Sequence, residues 1–383
     1  MQCVVLTDLV PDLWISPFRT MALRHLSLLL FLLWVLSIAH WIIRIGASPL
    51  LVLQWWFVQW IPFESIARPI EQLCWQKVQE FSAVTGQVLQ LPDIDVQEHG
   101  DNILSCVERK YGPGWRSKPL LLRNMWTQKE LSSEDRRLSL KGLLQENMVV
   151  PYFTNVSRPG ALVPDAEGRI SDIVANISSK ALPHKIGSQL LAHQNPELVY
   201  EVAPNHIVTQ LFGNYFSPTM VRGFFNGLLP PITIIPLFIA KANYKKQNND
   251  TCSSEEQPRT DMHCEPIANI LVQLEGEKRI TLISPEYSLH LQPRTSPDGR
   301  PYIYSMSPNF DHVPRFIHTI QKGDAIYVPS WTWHRVDYTS DKDIAISGSL
   351  FHFRPLDFFR RNPLHAAVIV PNLLMELTGL KAQ

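Results

Sequence analysis

Two short stretches, each with a strand-like pattern and polar residues at fixed positions, constrain this chain most. The first, His263–Lys278, reads HCEPIANILVQLEGEK, and the second, Gly323–Val336, reads GDAIYVPSWTWHRV. In an extended strand, residues i and i+2 project from the same face. His263 and Glu265 are therefore expected to point the same way, while Cys264 points the opposite way. The pattern predicts a β scaffold that carries polar side chains on one face.

The second stretch contains His334, so two histidines and one carboxylate can meet on this scaffold. Imidazole and carboxylate ligands suit Fe(II), and non-haem oxygenases hold it with two histidines and a carboxylate, leaving positions open for substrate and O₂. The five cysteines form no C-x-x-C pair and show no zinc spacing, which argues against a closed zinc site. We therefore expect His263, Glu265 and His334 to bind one Fe(II).

The two stretches resemble the JmjC/cupin-like 2-oxoglutarate oxygenases at more positions than these ligands. The further matching residues are Thr260, Pro266, Asn269, Gln273, Gly276, Lys278, Gly323, Asp324, Pro329 and Trp333. The resemblance implies that Lys278 binds the distal carboxylate of 2-oxoglutarate and that Thr260 assists it. Asn269 has the strand parity of Glu265 and is expected to line the same pocket. Glu265 is a departure, since hydroxylases of this group mostly carry Asp there, whereas Glu occurs among JmjC histone demethylases.

The fold expected from this resemblance is mainly β with helical additions: a double-stranded β-helix, the jelly roll of the cupins. The local pattern predicts a hairpin of strands 269–274 and 278–283 and later strands at 325–328 and 344–353. Upstream, helices are predicted at 64–89, 132–147 and 168–179, strands at 118–126, 148–153 and 230–241, and a polar surface loop at 243–259.

An apolar run near the N-terminus adds one transmembrane helix to this fold. Leu26–Ile43 has 18 residues without formal charge, close to the roughly 20 that a spanning helix needs. An uncleaved anchor is the first interpretation; a cleaved signal peptide and a soluble or interfacial helix stay open. The sequons at Asn155, Asn176 and Asn249 allow a lumenal domain. We expect a single-pass membrane protein of the endoplasmic reticulum or Golgi, with the domain in the lumen.

The predicted organisation follows from these features. It comprises a tail at 1–25, the transmembrane anchor at 26–43, an interfacial and helical linker region at 44–117, the JmjC/cupin-like domain at 118–355 and a C-terminal helix at 356–383. That last helix either packs on the domain or joins two copies in a homodimer. Lys plus Arg and Asp plus Glu both number 35, so the net charge is zero and no nucleic-acid partner is expected.

The function predicted from the sequence is a membrane-anchored Fe(II)- and 2-oxoglutarate-dependent dioxygenase that hydroxylates a side chain of a protein or peptide. The first alternative is a catalytically silent cupin-like interaction module, which Glu265 and the long loop before Thr260 would suit. The second is a histone-type demethylase, which only the His-x-Glu pattern suggests and which the membrane segment argues against.

Overall fold

The computed structural model describes residues 84–133, 136–154, 164–180, 184–213, 233–241, 259–295, 302–307, 309–339 and 343–363, with isolated positions before 84 and after 363. The strands are β1 (Val88–Leu89), β2 (Asp93–Asp95), β3 (Leu120–Arg123), β4 (Val149–Phe153), β5 (Ala166–Arg169), β6 (Lys185–Ser188), β7 (Thr233–Ile234), β8 (Leu237–Ala240), β9 (His263–Cys264), β10 (Ala268–Glu275), β11 (Lys278–Ile283), β12 (Pro293–Thr295), β13 (Ile303–Ser305), β14 (Arg315–Ile320), β15 (Ala325–Val328), β16 (Trp333–Asp337) and β17 (Ala345–His352).

The α-helices within these ranges are short. They are α1 (Val96–His99), α2 (Ile103–Tyr111), α3 (Gln128–Leu131), α4 (Leu140–Leu143), α5 (Ile170–Lys180), α6 (Leu190–Gln194), α7 (Val199–Val202), α8 (Asn205–Phe212) and α9 (Pro355–Arg361). Single 3₁₀ segments lie at Gly100–Asn102, Trp115–Ser117, Pro196–Leu198 and Pro285–Leu291.

The strands form two sheets, and most of the pairs within them are antiparallel. One sheet has the order β1-β14-β11-β16-β9-β13-β12, and the other has the order β2-β3-β15-β10-β17-β8-β6-β4-β5, with β7 paired to β17. The fold is thus mainly β with helical additions, as expected from the sequence.

A cluster of buried side chains from both sheets joins them, and we call it the inter-sheet cluster. Its members include Leu121, Leu271, Ile326 and Ala345 from one sheet and Ile280, Leu282, Ile320 and Val336 from the other. The opposite face of β10 and β17 contributes Ile270, Val272, Ile346 and Leu350 to a second cluster that includes residues of α5, α7 and α8. Because both faces of β10 and β17 pack against other side chains, nearly every residue of these two strands is buried.

This two-sided packing identifies the residues of each strand that face the other sheet. On β10 these are the odd-numbered residues, because Leu271 belongs to the inter-sheet cluster and Ile270 to the helix-side one. On β17 they are also the odd-numbered residues, because Gly348 lies so close to Val202 of α7 that an added Cβ would be 2.7 Å from its methyl groups. On β11 and β16 they are the even-numbered residues, as Ile280 and Val336 indicate.

Several predicted elements differ from the structure in extent. The helix predicted at 132–147 is only the four-residue α4, because Ser139 caps a new helix by accepting a bond from Gly142 N–H at 3.1 Å. The helix predicted at 64–89 does not reach its end: residues 84–87 are irregular, and β1 pairs in parallel with β14. The strand predicted at 230–241 is split into β7 and β8. The loop at 243–259 lies outside the described residues except for Arg259.

The predicted anchor at 26–43 lies outside the described residues apart from Leu32 and Val35, which are helical and exposed. Within the part of the chain that the structure describes, no helix has the length and apolar character needed to span a bilayer. The C-terminal helix predicted at 356–383 overlaps α9, and residues 371–383 lie outside the described ranges.

Candidate metal centre

Three side chains from two neighbouring strands meet at one point. β9 pairs with β16 so that His263 lies opposite His334, and Glu265 follows β9. One ligand atom from each of His263, Glu265 and His334 lies within 4.8 Å of the other two. The ring centroids of the two histidines are 4.2 Å apart. Donors this close together converge on a space that suits a single metal ion.

Backbone carbonyls orient both imidazole rings. His263 Nδ1 donates a hydrogen bond to the Asp261 carbonyl at 2.7 Å, and His334 Nδ1 donates to the Thr332 carbonyl at 3.1 Å. A carbonyl oxygen can only accept, so each Nδ1 carries the proton and each Nε2 keeps its lone pair. Metal-binding histidines generally have an outer partner of this kind, which fixes the tautomer and the ring plane.

Burial keeps both histidines neutral. It lowers the pKa of His263 to about 4, with a smaller contribution from the Lys185 cation. Burial and the neighbouring His263 lower the pKa of His334 to about 3. Burial also raises the pKa of Glu265 to about 7, and Glu265 Oε2 is buried with no hydrogen-bond partner among the described residues. A buried carboxylate oxygen without a partner is costly, and a cation at this point would satisfy it.

The reverse side of the same strands is packed, which holds the ligands in place. Cys264 and Trp333 are fully buried in a cluster with Ile303, Trp331 and Phe358. Trp333 Nε1 donates to Ser288 Oγ at 2.9 Å. Trp333 therefore belongs to the core behind the site rather than to the pocket wall.

The turn before β16 is tied to the segment that carries Glu265. Trp331 N–H donates to the Glu265 carbonyl at 2.7 Å, and Trp331 has a φ of 62°. Left-handed backbone is uncommon for a residue other than glycine and marks strain that the surrounding packing maintains. The turn thus links the backbone of Glu265 to the strand that carries His334.

Lys278 lies on the inner face of β11, with 1% of its surface exposed. Its Nζ donates a hydrogen bond to Ser347 Oγ on β17, in the opposite sheet. Burial, and to a smaller extent the Lys185 cation, lower its pKa to about 7. Lys278 and His334 therefore share the side of their sheet that faces β10 and β17, separated along the strand by Ile280 and Leu282.

Asn269 and Thr260 differ in their surroundings. Asn269 is 6% exposed and projects from the inner face of β10, and its Oδ1 has no hydrogen-bond partner in the described ranges. The Thr260 hydroxyl oxygen accepts a bond from Val336 N–H at 2.9 Å, which leaves its own hydrogen available to donate. Ser349 was not anticipated: its Oγ, on the inner face of β17, is also buried and unpartnered within the described segments.

Lys185 is the more consequential residue that sequence reasoning missed. It lies on β6, far from both motifs in the chain, yet its charge lowers the pKa of His263 and that of Lys278. The single signal in the sequence is a lysine three positions before Ser188 in a short polar–apolar alternation, which is typical of many exposed strands.

The comparison with known families agrees with this geometry. Residues 236–354 match the sequence model of a family described as a cupin-like domain. Residues 236–354 form a cupin-like domain. It begins just before β8, ends after β17 and contains the three clustered donors, Lys278 and Asn269. No curated protein matches the chain.

Proposed function

We propose that this chain is an Fe(II)- and 2-oxoglutarate-dependent dioxygenase that hydroxylates a side chain of a protein or peptide. The observation that carries the proposal is the convergence of donor atoms from His263, Glu265 and His334 within 4.8 Å, inside a cupin-like domain. Lys278, buried on the same side of the sheet, supports an acidic cosubstrate. The inter-sheet cluster supports the finer proposal that the two sheets form a double-stranded β-helix.

Each residue has a defined task in this proposal. His263 and His334 would hold Fe(II) through Nε2, because their Nδ1 atoms donate to backbone carbonyls. Glu265 would add a carboxylate oxygen as the third ligand. The metal would then be the partner that its buried Oε2 lacks among the described residues. When bound, Fe(II) would supply the O₂ chemistry that couples hydroxylation to conversion of 2-oxoglutarate into succinate and CO₂. The neutral imidazoles mean that no proton has to be displaced from either histidine on metal binding.

The cosubstrate would lie along the inner face, from the metal ligands towards Lys278. The Lys278 ammonium suits the distal carboxylate as a compact, buried cation. Asn269, with an unsatisfied carbonyl oxygen, can accept from a donor of the substrate. Thr260 would donate its hydroxyl hydrogen to an anion beside β16. The apolar residues of the inter-sheet cluster would exclude water from this end of the pocket.

The test is metal and cosubstrate binding followed by turnover. We expect one Fe(II) per chain, and binding of 2-oxoglutarate to the metal-loaded protein. Iron- and ascorbate-dependent release of succinate should follow when a substrate protein is present. His263→Ala and Glu265→Ala should each abolish metal binding while the fold is retained. Thr127→Ala, a helix cap on α3, is the matched control because it lies in a different part of the fold.

The competing function is a silent cupin-like interaction module, and the same experiment separates the two. Absence of both metal binding and 2-oxoglutarate binding by the folded wild-type chain would reject the dioxygenase in favour of the module. Metal and 2-oxoglutarate binding that require His263 and Glu265 would reject the module. Exposing the loaded protein to membrane-protein extracts and following succinate release would then identify the substrate fraction.

We further propose that residues 26–43 anchor the chain in the endoplasmic reticulum or Golgi membrane, with the cupin-like domain in the lumen. The support is the uncharged 18-residue run from Leu26 to Ile43, together with the three sequons. Glycosidase sensitivity of Asn155 in the expressed chain tests the orientation. An unmodified chain with its domain accessible to protease in intact microsomes would contradict a lumenal domain.

A further inference from the structure

A second lysine, Lys185 on β6, shares the interior with Lys278. Its neighbour Ile186 belongs to the helix-side cluster and pairs with Ile239 of β8, which belongs to the same cluster. Side chains alternate along a strand, so Lys185 and Gly187 face the opposite way, towards the other sheet. β6 is not part of either sequence motif, and it reaches the site only through its pairing with β8.

Phe238 connects the two lysines spatially. Gly187 pairs with Phe238, and a Cβ added at Gly187 would lie 3.5 Å from two Phe238 ring carbons and 3.9 Å from Lys185 Cε. On the other side, Lys278 Nζ lies 5.8 Å from the centre of the same ring. The Lys185 side chain therefore runs back over Gly187 along the inner face, and both lysines flank one aromatic ring.

Gly187 leaves room for the Lys185 stem beside the ring, and an added Cβ would still lie at ordinary van der Waals distances from both. The Lys185 Nζ lies 4.9 Å from the centre of the Phe153 ring of β4. Apolar rings thus surround the Lys185 stem, which limits the directions in which its ammonium group can turn.

The positive charges of Lys185 and Lys278 favour the binding of an anion near them. Burial lowers the pKa of Lys185 to about 8, while the Asp261 carboxylate opposes that shift. Lys185 in turn lowers the pKa of Lys278 and that of His263, so its field reaches both the proposed metal ligands and the lysine beyond them. Two ammonium groups that repel each other, here the half-buried Lys185 and the fully buried Lys278, are stabilised when a carboxylate is placed between them.

We propose that Lys185 and Lys278 together hold the distal carboxylate of the cosubstrate beside the Phe238 ring. This inference rests on the proposed function and deepens it, because it makes Lys185 a second cosubstrate-binding residue. The paired cations would make a second carboxylate a requirement for binding. The pocket would therefore select 2-oxo acids with an acidic far end and reject those with an apolar one.

The experiment is calorimetric titration of 2-oxoglutarate into the Mn(II)-loaded full chain, without turnover. The variants are Lys185→Met, Lys278→Met and the double variant. Lys241→Met is the matched control, because Lys241, just after β8, donates to the Ser178 carbonyl of α5 at 3.3 Å. One charge-assisted bond to a carboxylate corresponds to a loss of about 10- to 150-fold in affinity. We expect a loss of this size in each single variant, unchanged Mn(II) affinity in all, and no loss in the control.

The double variant provides the decisive comparison. If both lysines hold one carboxylate, the two sites are coupled. The fold-loss of 2-oxoglutarate affinity in the double variant should then be smaller than the product of the fold-losses in the two single variants. Wild-type affinity in Lys185→Met, or single losses that multiply, would overturn the inference while leaving the proposed function intact. Absence of 2-oxoglutarate binding by the wild type would instead defeat the proposed function. Lys185→Gln provides the same comparison if the methionine variant does not fold.

Discussion

At the scale of single residues, the interior of this protein is a row of ionisable groups held away from water. His263, Glu265 and His334 lie at one end, and Lys278 hydrogen-bonds to Ser347 at the other. Burial lowers the pKa of the two histidines and of Lys278 and raises the pKa of Glu265, so in each case it favours the neutral form. Such groups lower the stability of the fold when nothing is bound, and their clustering in the interior favours a binding role over a structural one.

The first prediction follows from the lowered pKa of Lys278. Its pKa is about 7 in the folded chain, against the ordinary lysine value of 10.5 in the unfolded chain. Below pH 7 the lysine is charged in both states, and its burial destabilises the fold fully. Between these values the unfolded chain binds more protons, so the stability of the wild type rises with pH. Lys278→Met should therefore stabilise the anion-free protein most near pH 6 and least near pH 10, by about 1–4 kcal/mol at the lower end.

Urea unfolding of the wild type and of Lys278→Met across this pH range measures the difference. Lys241→Met serves as the control, because it removes a lysine that is only partly buried. A stability difference between wild type and Lys278→Met that grows with pH would contradict the assignment of a buried, partly deprotonated lysine.

At the scale of elements, turns decide where the inward-facing residues lie. The connection from β10 to β11, which lie in different sheets, turns at Gly276, which has a φ of 64° and lies two residues before Lys278. An added Cβ there would be 2.5 Å from the Ile344 carbonyl oxygen, in the segment that leads into β17. The close approach of this turn to β17 brings Lys278 and Ser347 together.

The second prediction is that Gly276→Ala destabilises the protein by about 1–3 kcal/mol, because the left-handed backbone and the close carbonyl both oppose a side chain. 2-Oxoglutarate binding should weaken, whereas Mn(II) binding should be retained, because the metal ligands lie at the other end of β10. Gly114→Ala is the matched control: its backbone has a φ of −85° and an added Cβ would meet open space. Thermal unfolding and calorimetry measure both effects, and equal stability of the two variants would refute the strain argument.

The third prediction concerns the Pro329–Thr332 turn. Trp331 Nε1 donates to the Phe358 carbonyl of α9 at 2.9 Å, in a fully buried setting. Trp331→Phe keeps an aromatic ring but leaves that carbonyl unsatisfied, which costs about 1–3 kcal/mol. Because the same turn bonds to the Glu265 carbonyl, we expect metal affinity to fall with stability. Tyr200→Phe on α7, an exposed position, should change neither quantity. Unaltered metal affinity in a destabilised Trp331→Phe would show that the turn does not position Glu265.

At the scale of the whole molecule, the chain combines a cupin-like domain with a long N-terminal region. The two sheets joined by the inter-sheet cluster include β8–β17 of this domain and β1–β7 before it, and helices cover the outer face of β10 and β17. The homodimer through the C-terminal helix stays a prediction, since 371–383 lie outside the described residues. Leu32 and Val35, in the proposed anchor, are helical and exposed.

The fourth prediction is that the full-length chain stays with membranes in a carbonate wash. Charged residues at the centre of a spanning helix cost about 2.5–3.5 kcal/mol each. Leu32→Asp combined with Val35→Asp should therefore release the chain into the soluble fraction, whereas Leu32→Ile should not. Release of the full-length wild-type chain would rule out the anchor, and release of a shortened wild-type chain would favour a cleaved signal peptide.

The sequence by itself determined the relations that depend on neighbouring residues. The two-residue period of a strand predicted that Glu265 joins His263 on one face and that Cys264 faces away, and both agree with the structure. The same period predicted the bounds of β10 and β11 to within a residue or two. The hairpin expected between them is wrong, because β10 pairs with β15 and β17, whereas β11 pairs with β14 and β16 in the other sheet. Which face of a strand a residue occupies depends only on its neighbours in the chain. The tertiary structure then determines what lies opposite that face.

Only the tertiary structure decided which distant segments meet. Pairing of β6 with β8 brings Lys185 beside Phe238, and nothing near Lys185 in the chain indicates this, because strand pairing depends on packing across the whole sheet. The helix expected at 132–147 failed for a related reason: Arg137 bonds to Glu146 and Asn195, contacts that replace a continuous helix. Likewise, the left-handed backbone at Trp331 is maintained by bonds to Glu265 and Phe358, partners that are far away in the sequence.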